Sequence, residues 1–312
     1  MTVVEIVDAF GAAKRDFPVK AVEAAIAQRE EVTPALLQII EHATAPPAEW
    51  ARDSRVFSTV FALFLLGQFR EQAAYRPIVR LAQCAPRHAD EIIGDFITYG
   101  LSNCLASVFD GDCEPIHELI KNPNAEEFAR AAGVSALKNL VLADVLDRTS
   151  VFEYYRHLLT DGLEREYSFL WTEMVCVALD LYPEGLVPEL EKAFEDDLID
   201  PMDVSPAEIA ETLKRGREMT LARTLRNFHP YIDDTIEEFG CWICWHEGIR
   251  FDNKSNETLH AGDRWKRNPY PSRIPSGSNP GLVGTSPAPA ARSTRSVACE
   301  HNQPLRSMLS NV

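Results

Sequence analysis

Long apolar runs are missing from this 312-residue chain. Its most hydrophobic stretch, Val60–Gly67, spans eight residues between Arg55 and Arg70, whereas a helix that crosses a bilayer needs about 20. Met1–Lys14 carries Glu5 and Asp8 inside its apolar part, unlike a secretory leader, which has a basic start and an unbroken hydrophobic centre. The chain is therefore expected to be cytoplasmic and free of membrane. Strand-like alternation is scarce, which argues against a sheet protein. A glycine-rich phosphate loop, a GxSxG elbow and an HExxH pair are all absent, and with them the usual equipment of an ATPase, a serine hydrolase or a zinc protease.

Basic charge is in short supply. The chain has 31 Lys and Arg against 47 Asp and Glu, a net charge of -16. From Ala261 onward the balance is +5, which leaves -21 on residues 1–260. A body of that sign repels a phosphate backbone, so nucleic acid is not an expected partner. The acidity serves solvation, or the docking of a basic partner. Cysteine is odd in number at seven, and Cys84, Cys104, Cys113 and Cys176 stand singly within apolar helical patterns. That usage fits reduced, buried thiols better than a disulfide framework.

Helix signals fill the chain instead. Apolar residues make up 46% and charged residues 25%, near globular norms. Thr33 with Pro34 predicts a cap and a first-turn proline, and Asn124 with Glu127 and Ser205 with Glu208 predict capping boxes. After Asn124 a stripe of Phe128, Ala132, Ala136 and Leu140 has the 3.6-residue period of a helix. Four apolar helix ends then recur, at Leu65–Phe69, Leu105–Phe109, Leu137–Val141 and Val177–Leu181, starting 40, 32 and 40 residues apart. A second helix follows each one, marked by Pro77, Pro115, Phe152 and Pro188 at spacings of 38, 37 and 36 residues. Proline suits a first helical turn, whose N–H groups have no internal partner. Helix pairs recurring at this interval predict an α-solenoid.

The segment Leu66-Gly67-Gln68-Phe69-Arg70-Glu71 with Ala74-Tyr75, together with Leu105–Asp112 and Glu114-Pro115-Ile116, resembles an uncharacterised bacterial family of HEAT-like repeats, a domain of unknown function. The resemblance covers Pro34 to Trp245 and implies a HEAT-like superhelix without an assigned activity. Members of that family often end in a zinc-binding SEC-C motif. Here Arg267-Asn268-Pro269-Tyr270-Pro271-Ser272 and Ser276-Gly277-Ser278 place Tyr270 and Ser272 where thiolates belong, so the remnant has lost its ligands. The expected fold is all-α: a HEAT-like α-solenoid over residues 1–250, then a basic, low-complexity and mostly disordered tail over residues 251–312.

Candidate chemistry is thin. Cys241, Cys244 and His246 have CxxC spacing, with His260 as a fourth zinc donor; alternatively Trp242, Ile243 and Trp245 close the hydrophobic end of the solenoid around apolar cysteines. Asp110 and Asp112 flank a tight corner, where carboxylates bind a hard cation or cap a helix; Asp196 with Asp197 and Asp233 with Asp234 are similar pairs. His117 and His157 fall in second helices of adjacent repeats. Tyr154, Tyr155, Tyr167 and Trp171 form an aromatic set that either anchors a peptide or packs the core. The pattern points to a surface that binds a protein or peptide, without cofactor; the alternative is a metal-binding module or enzyme built on Cys241, Cys244 and His246 or on the Asp110–Asp112 corner.

Overall fold

The computed structural model describes residues 1–13, 16–44, 55–200, 202–226 and 228–242, and among these it contains helices and no strand. In chain order the helices are α1 Val3–Ala12, α2 Val19–Ala27, α3 Arg29–Ala43, α4 Arg55–Gln68, α5 Tyr75–Ala82, α6 Pro86–Tyr99, α7 Leu101–Val108 and α8 Glu114–Lys121. They continue as α9 Glu127–Leu142, α10 Arg148–His157, α11 Phe169–Asp180, α12 Val187–Glu195, α13 Pro206–Arg215, α14 Arg217–Leu225 and α15 Thr235–Phe239.

Local signals account for most of the helix starts. Thr2 and Glu5 form a capping box on α1, and Ser205 with Glu208 forms the expected one on α13, with Pro206 in its first turn. Pro115 and Pro188 stand in the first turns of α8 and α12. Two expected caps are corrected. α3 begins at Arg29 and carries Pro34 within it, because Val32, Leu36 and Ile40 continue one fully buried stripe; that burial outweighs the roughly 3 kcal/mol that an internal proline costs. α9 is capped by Glu126, which accepts from the Ala129 N–H at 2.9 Å, and not by Asn124. Glu127 is drawn away to α11, where it accepts from the Phe169 N–H at 2.6 Å.

The apolar helices α4, α7, α9 and α11 pack in succession. α9 lies between neighbours on all sides, so residues 129–140 are buried right around the helix rather than along one stripe. The second helices also touch in turn. α5 packs on α8, Tyr154 of α10 stacks on His117 of α8, and Arg156 of α10 pairs with Glu189 of α12 at 3.2 Å. Between residues 72 and 154 several hydrogen bonds share one separation: Arg76 to Asp112 and Asn139 to Asn103 across 36 residues, and Gln72 to the Phe109 carbonyl, Tyr75 to the Asp112 carbonyl and Tyr154 to the His117 carbonyl across 37.

Beyond α12 the chain turns back. α13 and α14 pack on α11, with the Thr224 hydroxyl donating to the Asp180 carbonyl at 3.0 Å. Residues 228–234 then run without regular structure to α15, which rests on α4 and α2. Trp242 therefore packs at the N-terminal half of the molecule, against Phe64 and Tyr99. Among the described residues no helix is long and apolar enough to cross a membrane.

Candidate functional site

Helix α9 buries four polar side chains, Arg130, Ser135, Lys138 and Asn139, and each finds a partner on an adjacent element. Arg130 donates through Nε to the Ile120 carbonyl at 2.8 Å and through both Nη atoms to Glu164. Ser135 donates to Glu173, and Lys138 pairs with Asp180 at 3.0 Å. Asn139 donates to the Asn103 side-chain carbonyl at 2.9 Å. Loss of hydration pushes the Glu173 carboxyl above its ordinary value, and the Lys138 charge opposes that rise. A buried polar group without such partners would be costly, so these pairs fix how neighbouring helices register.

The polar row continues toward α4, where its partner is the main chain of the returning segment. Asn103 donates to the His229 carbonyl at 3.1 Å, and the Ile232 N–H donates to the Ser107 hydroxyl at 2.9 Å. Arg70 reaches the Ile232 carbonyl at 2.6 Å and the Asp233 carboxylate at 2.5 Å, with its guanidinium 4.6 Å from the centre of the Tyr231 ring. Gln68 accepts from both the N–H and the hydroxyl of Thr235, at 2.9 and 2.7 Å. Ile232 is fully buried over Gly67, where a Cβ would stand 2.8 Å from its Cδ1. His229, Asp233 and Asp234 remain exposed. A segment without regular structure thus lies with one face in solvent and one face read by side chains of α4, α7 and the turn after α4.

At the far end of this segment Asp234 caps α15, accepting from the N–H groups of Ile236 and Glu237 at 2.8 and 3.1 Å. Glu238 turns back to accept from the Asp233 N–H at 2.8 Å, and burial pushes its carboxyl up to about 6. Phe239 then enters an aromatic cluster, with ring centres 4.8 Å from both Phe61 and Phe64 and 5.0 Å from Trp242.

The residues singled out from the sequence are scattered over this frame. Tyr155 and Trp171 are core side chains, their polar ends donating to the Val134 carbonyl at 2.8 Å and the Glu164 carbonyl at 3.2 Å. Tyr154 is half-buried, its ring 3.7 Å from that of His117, whose imidazole is held below its ordinary value chiefly by burial. His157 is exposed, and Tyr167 is 56% exposed. Asp110 and Asp112 are engaged in the corner itself. Asp110 accepts from the Asp112 N–H at 2.9 Å, Asp112 accepts from the Glu114 N–H at 3.0 Å, and Arg76 pairs with both carboxylates at 3.4 and 2.7 Å. Gly111 between them takes φ of 101°, which suits glycine.

The Cys241 sulfur donates to the Glu238 carbonyl at 3.1 Å, and the side of it turned into the protein raises the thiol above its ordinary value, away from the thiolate a metal needs. Cys244, His246, His260 and the stretch from Arg267 to Ser278 lie outside the described residues. Among the described residues no three His, Cys, Asp or Glu side chains are grouped to hold a metal ion. Gly67, Gln68, Arg70, Asn103 and Ser107 carry no site signal in the sequence, although Gly67-Gln68-Phe69-Arg70 marks a repeat. What they bind lies more than 120 residues away along the chain.

A family model described as a protein of unknown function, DUF1186, matches residues 1–246. The chain belongs to the DUF1186 family. A relative described as an uncharacterised protein of Chlamydia muridarum (strain MoPn / Nigg) is 34% identical over 226 residues, covering 72% of this chain and 90% of the relative. An uncharacterised protein of Chlamydia trachomatis serovar D is 33% identical over 226 residues with the same coverage. No solved structure matches the chain. The DUF1186 match runs through Phe239 and Trp242, so the returning segment belongs to the family unit together with the helices it crosses.

Proposed function

We propose that residues 1–250 form a HEAT-like α-solenoid, a superhelix of antiparallel helix pairs, that serves in the cytoplasm as a scaffold for a protein or peptide partner. One observation carries this reading: between residues 72 and 154, side chains bond to side chains or carbonyls 36 or 37 residues away, from Arg76–Asp112 to Tyr154 with the His117 carbonyl. Units that repeat a contact with their nearest neighbours build a continuous surface rather than a closed pocket, and such surfaces serve recognition. An open cavity lined by Arg29, Glu30, Thr33, Pro34 and Glu71 lacks the convergent apolar walls of a small-molecule site.

The test is reconstitution. A partner recovered on the purified chain from its native lysate is produced separately and mixed with it at 0.1 M salt, a condition of about 10 Å screening length. A complex of fixed stoichiometry by light scattering supports the reading. Failure of every recovered protein to re-form a complex with the purified chain overturns it.

A further inference from the structure

We propose that Gly67, Gln68, Arg70, Asn103 and Ser107 form a peptide-binding site that residues 229–235 occupy as a built-in ligand, and that an extended partner segment with a β-branched aliphatic residue followed by a carboxylate takes their place. This deepens the scaffold reading by naming the site and the chemistry of its occupant.

The site reads main chain before side chain. The His229 carbonyl, both main-chain polar groups of Ile232 and the Thr235 N–H are each met by a side chain of the helical frame. None of those contacts depends on which residues the segment carries. Selectivity rests on two features: the gap above Gly67 that Ile232 fills, and the Arg70 guanidinium paired with Asp233. An alanine at position 67 would already intrude on the aliphatic side chain, so the missing Cβ is the pocket. Helical frames commonly take linear segments through such a few anchors.

The occupant is held as a removable part would be. Of the unstructured stretch 228–234, Ile232 is the one fully buried side chain, and His229, Asp233 and Asp234 face solvent. Both ends are fixed elsewhere: Thr224 of α14 bonds to α11, and Phe239 of α15 sits among Phe17, Phe61, Phe64 and Trp242. Residues 229–233 can lift while the helices at either end stay docked, with Asp234 kept as the cap of α15 and Thr235, its first residue, as the pivot on Gln68.

The probe is a fluorescein-labelled peptide of residues 228–236, titrated by anisotropy against the full-length chain. Against the Ile232→Ala/Asp233→Lys variant, whose own segment is weakened, it is expected to bind at least about tenfold tighter than against the parent chain, and adding Arg70→Ala is expected to lose at least about tenfold. Equal binding to parent and variant, or binding indifferent to Arg70→Ala, overturns the proposal. So does a variant that dimerises by light scattering and refuses the peptide, an outcome that assigns the site to a second copy of the chain. Hydrogen exchange on the parent protects the test against a variant that fails to fold. The Ile232 amide is expected to exchange through local opening, faster than those of α9; exchange only at the rate of α9 overturns the proposal. A reconstituted partner that does not compete with the peptide leaves the scaffold standing and removes this site.

Discussion

Adding one methyl group at Gly67 tests whether Ile232 sits where the structure puts it. In Gly67→Ala the new Cβ would lie 2.8 Å from Ile232 Cδ1 and 3.3 Å from its Cβ, inside the roughly 3.5–4.0 Å at which carbon atoms pack. Crowding a filled site costs about 1–3 kcal/mol. Gly67 lies within α4, so alanine also returns about 1 kcal/mol of helix propensity. The single variant is expected to fall between neutral and about 2 kcal/mol less stable. Ile232→Val alone removes the crowded Cδ1 and costs about 1 kcal/mol. Combined, the valine relieves the alanine, and the pair is expected within about 0.5 kcal/mol of the parent, a coupling of about 1–3 kcal/mol. Urea unfolding of the four proteins followed by circular dichroism supplies the cycle. Strictly additive losses would refute the contact, because two sites that do not touch have no reason to compensate.

Protonation supplies a second handle. The raised Glu238 carboxyl keeps its proton longer in the folded chain than in the unfolded one, so its contribution is present below the ordinary value of 4.5 and is lost as pH climbs through about 6. Glu238→Gln, which mimics the protonated form, should match the parent near pH 4.5 and exceed it at pH 7.5 by up to about 2 kcal/mol; a variant less stable by one margin at both pH values would contradict this. Lys138→Met strands Asp180 beside the already raised Glu173 carboxyl and should cost about 3 kcal/mol at pH 7. That loss should shrink as pH falls and in the Glu173→Gln background, read from urea midpoints. Cys104 is buried, with its thiol pushed up by desolvation and donating to the Leu63 carbonyl at 3.4 Å. Mass-spectrometric mapping after brief alkylation of the native chain should find it unmodified while exposed Cys241 reacts; early labelling of Cys104 would place it outside the core.

Several helix starts were legible because the signals are local. Prolines at 115 and 188 fit first turns where no hydrogen bond is lost, and Ser205 with Glu208 lies within one turn. Local signals failed where a distant partner won. Glu127 left the expected box for the Phe169 N–H, and burial of Val32, Leu36 and Ile40 carried α3 through Pro34. Gln68 meets Thr235 across 167 residues, and no periodicity records such a contact. Ile232, beside two aspartates in a stretch with no helical pattern, gave no sign of burial. The aromatic set was legible as a cluster of residues but not as a division, since packing alone decides that Tyr155 and Trp171 face inward and Tyr167 outward.

The tether decides which partners can use the site. A segment joined by a short connection presents itself at an effective concentration of about millimolar, and more when both ends are fixed. If the free segment binds with Kd of about 10 µM, the site is closed about a hundredfold over open, and a free peptide sees its affinity reduced by about the same factor. A partner recovers that loss with about 2.7 kcal/mol of contacts the resident segment lacks. One further buried aliphatic side chain supplies about 1.5–3 kcal/mol, so a single extra anchor on the neighbouring helices is enough to tip the exchange. Up to Asp234 the resident segment has only Ile232 to hold it by burial, whereas Thr235 is buried as part of α15, whose displacement would expose Phe239 and the rings around it. Exchange therefore stops at Thr235, and a partner that engages the site leaves the N-terminal aromatic cluster closed.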